Sequence, residues 1–316
     1  MNIILFGPWT GEFSYEVQWW IPECRLIASQ YPDNYKIAIG YKGRNILYKD
    51  FIDEYISFPE NLNQFLTFPD CWSQRISNNP RILNIPPEIN NFVSNIESNL
   101  IFTDIKKYIP NQSLIERRFD NNPIGIFKTY SESLEGNLIS NSILKSFTNN
   151  VICINPKKRV RNGIYDHETL NIDTWNFIVK FLIQNNKSVV NMYIKDNPGT
   201  YDLSHFERIY PNNFKQIDLN TKNSLDIQIS LLKNTKGSIY GSSGAAILPI
   251  ICNTPMLAFQ TKESGWRLGL EWHKKLTNNH EKIIIYDNYD IHSYKNISNI
   301  DIENNLIKFI NMIDNE

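Results

Sequence analysis

The chain has 316 residues and a net charge of −1, with 41% hydrophobic and 21% charged residues. These values exclude a disordered or fibrous chain, and a protein drawn by its overall field to nucleic acid or anionic membrane. The length suits two domains of ordinary size. No apolar stretch reaches the ~20 residues of a membrane-spanning helix. The first residues lack the basic segment and long apolar run of a secretory leader, so a cytoplasmic protein is expected. Cys24, Cys71, Cys153 and Cys252 form no CxxC pair and read as free thiols of a reducing compartment.

The opening run Asn2–Phe6 has the length and apolar character of a buried strand, and Gly7 ends it. The loop Gly7-Pro8-Trp9-Thr10-Gly11 leads on to two acids, Glu12 and Glu16. In an open α/β sheet, ligands gather at the carboxyl ends of strands, which is where such a loop falls. From Ser14 to Gln30, Val17, Trp20, Cys24 and Ile27 recur at helical spacing. Pro22 predicts a kink, or two short helices with Pro22 in the first turn of the second. Tyr35–Tyr41 reads as a strand, Ile46–Ile52 as a helix and Glu54–Phe58 as a short strand. Residues 59–87 are rich in Pro, Asn and aromatics without a period, which fits a surface insertion, and Glu88–Asn99 is again helical. An apolar segment at Pro123–Phe127 precedes a Ser- and Asn-rich tract, and the crossing between domains is placed near residue 140.

The second half alternates more clearly. Val151–Ile154 is a short buried strand running into Asn155-Pro-Lys-Lys-Arg-Val-Arg-Asn-Gly163. Asp173 caps a helix bearing Trp175, Ile178, Val179 and Leu182. Strands follow at Ser188–Ile194 and Phe214–Leu219, then a helix at Ser224–Leu232. The short strand Ser238–Tyr240 feeds Gly241-Ser242-Ser243-Gly244 and an apolar helix Ala245–Cys252, with further strands at Pro255–Phe259 and Lys282–Tyr286. Asp301–Ile313 forms an amphipathic closing helix through Ile302, Leu306, Phe309, Ile310 and Ile313. Strands alternating with helices in both halves predict an α/β protein of two Rossmann-like domains facing a cleft. The domains are residues 1–140 and 141–300, and residues 301–316 form a helix expected to pack back on the N-terminal domain.

Two segments of the second half have the chemistry of a phosphate site. At Gly241–Ala245 the glycines let the backbone approach a ligand, the Ser242 and Ser243 hydroxyls add donors, and the first helical N–H groups of Gly244 and Ala245 favour negative charge. After Ile154, the cations Lys157, Lys158, Arg159 and Arg161 can neutralise a diphosphate without metal, arginine gripping it through a bidentate fork. Trp266 and Arg267 follow the strand Pro255–Phe259, where an indole can stack on a base or sugar and a guanidinium can reach phosphate. An ordinary strand–helix turn, a solvated basic loop and a capping surface loop are the plain alternatives for these three segments.

The opening loop differs. Gly7-Pro8-Trp9-Thr10-Gly11 is not the GxGxxG fingerprint, Pro8 removes an amide donor, Trp9 is bulky, and Glu12 would repel a pyrophosphate. A carboxylate there suits another task, accepting a proton from an attacking hydroxyl. A helix start would keep Glu12 ionised and weaken it as a base. Glu16 lies four residues on, on the same helical face. The alternative is that Glu12 caps the helix and Glu16 is solvated. The five histidines show no metal-ligand spacing, no DxD follows a strand, and P-loop and GxSxG motifs are missing from the sequence.

This layout resembles the two-domain GT-B glycosyltransferases, and within them the heptosyltransferase-like group. The resemblance rests on the first strand with its Gly7–Glu12 loop, on Ile154–Arg161, and on Gly241-Ser-Ser-Gly-Ala-Ala-Ile-Leu-Pro249 before Pro255. Where heptosyltransferases have a phosphate loop like Asp-Thr-Gly, this chain has Ser242-Ser243-Gly244. The resemblance implies an N-terminal domain that takes the acceptor at Gly7, Trp9, Thr10 and Gly11. It implies a C-terminal domain that takes a nucleotide sugar as co-substrate, with no metal and no cofactor. It also implies an N-terminal acid, Glu12 or Glu16, as the base of an inverting displacement. The expected reaction moves a sugar from the nucleotide donor to a hydroxyl of a glycan, a small molecule or a hydroxymethylated DNA base, although the net charge does not favour DNA. The alternatives are a GT-B-like pyruvyltransferase or sugar-nucleotide epimerase and, from another class, a non-catalytic sugar- or nucleotide-binding protein.

Overall fold

A computed structural model describes residues 2–11, 13–65, 85–100, 104–110, 130–158, 160–161, 164–165, 170–195, 199–220, 224–241, 243–261, 280–288 and 298–315. Glu12, Arg159, Ser242, Trp266 and Arg267 lie outside the described residues, and Arg161 is described in its backbone alone. By its contacts the chain divides into two compact units, Met1–Lys128 and Thr129–Glu316. Each is an α/β unit built on a parallel sheet.

In the first unit, β1 (Ile3–Phe6), β2 (Tyr35–Gly40), β3 (Glu54–Ser57) and β4 (Ile105–Tyr108) lie parallel in the order β3-β2-β1-β4. Strand β1 is buried along its whole length, as an unbroken apolar run in a parallel sheet must be. One of its faces packs Ile3 and Leu5 with Ile37 and Ile39 against Ile89 and Val93 of the helix Pro87–Asn99.

The helical tract after β1 comes in three pieces: an α turn at Phe13–Tyr15, a π turn at Glu16–Trp20, and an α-helix at Ile21–Gln30 with Pro22 in its first turn. Pro22 has no N–H for an i→i−4 bond, and the register changes just ahead of it. The helix expected at Ile46–Ile52 is instead a 3-10 turn at Asn45–Leu47 followed by further turns. Arg25 holds this stretch. Its Nη2 donates to the Leu47 carbonyl, and its Nε and Nη2 hold Asp50.

The second unit has six parallel strands: β5 (Val151–Asn155), β9 (Ser188–Tyr193), β11 (Phe214–Asp218), β12 (Gly237–Tyr240), β13 (Met256–Thr261) and β14 (Ile283–Asn288), in the order β11-β9-β5-β12-β13-β14. Counted as the chain meets them, these run 3-2-1-4-5-6, the doubly wound dinucleotide-binding order. The winding reverses between β5 and β12, and in the first unit between β1 and β4, and such reversals open a crevice beyond the carboxyl ends of the strands. The basic tract, read from sequence as a loop, forms short strands. β6 (Lys157–Lys158) pairs antiparallel with β10 (Gly199–Thr200), and β7 (Val160–Arg161) with β8 (Ile164–Tyr165).

The expected crossing near residue 140 falls within a helix, Leu134–Leu144, that the sequence does not announce. Ser133 caps it by accepting from the Gly136 amide. It packs so tightly on the helix Ser224–Asn234 that a Cβ at Gly136 would lie 2.4 Å from Ser230 Oγ. The closing helix Asn299–Asp314, expected to return to the N-terminal domain, joins the core of the second unit instead. Its Ile302, Leu306, Phe309 and Ile313 pack with Ile152, Ile178 and Leu257. Gly237 leaves the space that Phe309 fills, since a Cβ there would be 2.7 Å from Phe309 Cζ. Among the described residues, no helix is long and apolar enough to cross a membrane. Cys24, Cys153 and Cys252 are free and buried.

Candidate functional site

Each reversal point carries one of the segments that the sequence singles out. In the first unit the loop after β1 is tied to both neighbouring strands, since the Gly7 amide donates to Tyr108 O and the Trp9 amide to Ile39 O. Gly7 adopts φ 110°, precedes a cis bond to Pro8, and sits where a Cβ would meet Ile39 O at 2.6 Å. Only glycine fits there. Trp9 is fully buried and stacks on Trp20 with ring centroids 5.9 Å apart. Tyr41 donates its hydroxyl to Thr10 O at 2.8 Å. Gly7, Trp9, Thr10 and Gly11 are thus all buried, and the loop is a fixed support rather than a free surface turn.

Glu16 opens the π turn with a relative exposure of 0%. Arg44 forms an ion pair with Oε2, and Tyr48 donates to Oε1 at 2.7 Å. The Arg44 guanidinium carbon lies 4.4 Å from the Tyr41 ring centre and 5.0 Å from that of Phe13, so cation–π attraction adds to the ion pair. Burial pushes the Glu16 carboxyl above its ordinary value, against the pull of Arg44 and the Tyr48 hydroxyl. The Tyr48 phenol is pushed well up, first by burial and then by the Glu16 charge. A carboxylate enclosed in this way, with both oxygens bonded, holds the loop and the turn after β2 together. Both of its oxygens are engaged within the chain, by Arg44 and by Tyr48. Arg44 and Tyr48 lie 28 and 32 residues from Glu16, and no local spacing marks the cluster.

In the second unit, β5 ends at Asn155 and β12 at Tyr240, register partners on either side of the reversal. The turn after β12 leads into a 3-10 turn, Gly244–Ala246, and then the short helix Ile247–Ile251. Ser243 is buried and caps this start, its Oγ accepting from the Ala245 amide at 3.1 Å. Gly244 and Ala245 are half-buried, as is Lys157, whereas Lys158 is exposed. The basic tract and the turn are neighbours, because a Cβ on Gly241 would lie 3.4 Å from both Lys157 Cβ and the Trp175 ring. Asn155 Nδ2, Trp175 Nε1 and Tyr240 Oη are buried without a hydrogen-bond partner, which leaves neutral donors in the residues around this edge. Among the described residues, no group of three or more His, Cys, Asp or Glu could hold a metal ion.

No family model matches the sequence, and no curated protein matches it. Solved structures do. The ADP-heptose lipopolysaccharide heptosyltransferase II of E. coli superposes with a TM-score of 0.61 at 13% identity, covering 100% of this chain and 99% of that one. A family 9 glycosyl transferase of Veillonella parvula gives 0.58 at 12% identity, over 100% and 98%. The chain shares their fold. The E. coli heptosyltransferase WaaC, solved with ADP, gives 0.52 at 8% identity over the whole of both chains. The likeness therefore spans both α/β units of this chain, and at these identities it speaks for the fold.

Proposed function

We propose that the chain is a metal-independent glycosyltransferase of the GT-B type. It would move a sugar from a nucleotide-sugar donor to a hydroxyl acceptor, with inversion, in the cytoplasm. The observation that supports this most is the end-to-end likeness to heptosyltransferase II, 100% of this chain on 99% of that one. A partial likeness would speak for a single Rossmann-like unit, a fold that serves many chemistries.

In this reading the second unit binds the donor. The amides of Gly244 and Ala245, the Ser242 and Ser243 hydroxyls, and Lys157, Arg159, Arg161 and Arg267 meet the diphosphate. Clustered donors and cations stabilise the charge that grows on the leaving group, with no metal needed. The first unit binds the acceptor beside the loop Gly7–Gly11. Glu12 takes the proton from the attacking hydroxyl as the new glycosidic bond forms and the bond to the diphosphate breaks.

A thermal-shift panel of ADP, UDP, GDP and CMP tests the donor half, with ADP first because WaaC was solved with it. One nucleotide should raise the melting temperature, and at a hundredfold excess over Kd the stabilisation is about 2.7 kcal/mol. The matching labelled nucleotide sugar should then release its nucleotide in the presence of an acceptor. If no nucleotide stabilises the protein and no nucleotide sugar is cleaved, the reading is wrong.

A further inference from the structure

Two side chains of the segment after β2 hold the chain on both sides of Glu12. Ahead of it, Tyr41 donates its hydroxyl to Thr10 O at 2.8 Å. Beyond it, the Arg44 guanidinium lies 5.0 Å from the ring centre of Phe13 and forms the ion pair with Glu16. The two holders touch one another, the guanidinium carbon standing 4.4 Å from the Tyr41 ring centre. Phe13 follows Glu12 directly in the chain, and Thr10 is separated from it by Gly11 alone.

The π turn serves the same end. It carries more residues than an α turn, and one extra residue swings what precedes it by roughly 100° about the helix axis. The Ile21 amide closes this turn by donating to Glu16 O, five residues back. Arg44 and Tyr48 hold the Glu16 side chain at one end of the turn, and at the other Trp20 stacks on Trp9. Enclosing the Glu16 charge costs desolvation, and an apolar pair of similar volume would hold the fold as well. What the ion pair adds is direction, because the planar guanidinium fixes Phe13 and Glu16 relative to one fork.

We infer that Tyr41 and Arg44 are positioning residues for Glu12, holding the backbone on either side of it where it can take the acceptor's proton; this rests on the glycosyl-transfer reading. A misplacement of about 1 Å can cost on the order of 10²-fold in rate. The test follows nucleotide release from a nucleotide sugar that the wild type cleaves, with kcat and KM separated. The variants are Tyr41→Phe and the double substitution Arg44→Met with Glu16→Leu, each made with Glu12 intact and with Glu12→Gln. Tyr41→Phe keeps the ring beside Arg44 and loses the bond to Thr10 O. Its kcat should fall about fivefold to tenfold, the size of one hydrogen bond, while KM for the nucleotide sugar holds. The apolar pair should keep its melting temperature close to that of the wild type and still lose on the order of 10²-fold in kcat. With Glu12→Gln in place neither change should slow turnover further, since residues that act through one another are not additive. The inference is overturned if Tyr41→Phe leaves kcat unchanged, if the folded apolar pair turns over like the wild type, or if the losses add to that of Glu12→Gln. Should the apolar pair fail to fold, Tyr41→Phe decides alone. A wild type that cleaves no nucleotide sugar removes the transfer reading and the positioning role together. Normal wild-type turnover with unaffected variants removes the positioning role and keeps transfer.

Discussion

The two segments that follow β1 and β12 occupy matching places, each at the carboxyl end of a strand beside a reversal in sheet order. They are built in opposite ways. The first is locked by a positive-φ glycine, a buried indole and an ion pair on Glu16, and by sequence it carries an acid at Glu12. The second has no acid in its sequence, and its Ser243 caps the start of a helical turn by accepting from the Ala245 amide. A segment of the first kind fixes a side chain in space at a large cost in buried polar groups. A segment of the second kind presents backbone N–H groups, which suit an anion of any attached structure. On the proposed reading the contrast would separate side-chain chemistry in the first unit from anion binding in the second, and each prediction below presses on one side of it.

The largest effect should come from Glu12. If it is the base, Glu12→Gln lowers turnover by roughly 10²–10⁴ while nucleotide binding in the thermal-shift assay stays as it was. Unchanged turnover would take Glu12 out of the mechanism and leave the first segment as a support only.

Next comes the support itself. Arg44→Met strands the enclosed Glu16 carboxylate, and the loss of one partner from a buried pair costs about 3–5 kcal/mol, read by urea titration. Arg44→Met combined with Glu16→Leu should recover much of that loss, because an apolar pair needs no compensation. Glu16 also sets a pH dependence. Its carboxyl is raised in the folded protein from an ordinary 4.5, so the folded state keeps this proton to a higher pH than the unfolded chain. Its favourable contribution is complete below the ordinary value and is lost as pH climbs through the raised one. The stability difference between the wild type and Glu16→Gln should shrink over that climb. A difference that stays flat would mean that Glu16 titrates alike in both states.

The sequence shows the two regions unequally well. Strands such as Tyr35–Gly40 and Ser188–Tyr193 stand within a residue of where their apolar runs place them, because a strand buried on both faces has little choice of residue. The end of β12 and the helical start that follows it are legible for a related reason, since the glycines and serine that shape them are local. The Glu16–Arg44–Tyr48 cluster is not, because its members meet only after β2 has paired with β1. The turns at Asn45–Leu47 stand where a helix is expected, and the Arg25 contact on the Leu47 carbonyl that holds them spans 22 residues, which periodicity does not read. The helix Leu134–Leu144 lacks a clear apolar stripe and is held by a cap and a close glycine contact, neither of which periodicity records.

Gly7 tests how rigid the first segment must be. Gly7→Ala forces a side chain into φ 110° and a Cβ to within 2.6 Å of Ile39 O. The cost should be roughly 2–3 kcal/mol, with turnover falling more than nucleotide affinity if the loop positions only the acceptor side. A fall in nucleotide affinity as large as the fall in turnover would blur the division between the segments.

Ser243 gives the smallest effect on stability and the sharpest on the division of labour. Ser243→Ala removes the bond to the Ala245 amide, and a lost cap of this kind costs about 1 kcal/mol. The turn would still fold, since it is held on one side by β12 and on the other by the buried helix Ile247–Ile251. The freed amide then decides the matter. If the turn cradles phosphate, nucleoside diphosphate should bind severalfold more weakly, because the Ser243 hydroxyl is lost as a donor to it, while a sugar bound to the first unit should be unaffected. If nucleotide affinity holds while stability drops, the cap serves the helix alone. The anion contacts would then fall to Lys157 and the residues of the basic tract, and the second unit would bind its ligand with side chains, as the first does.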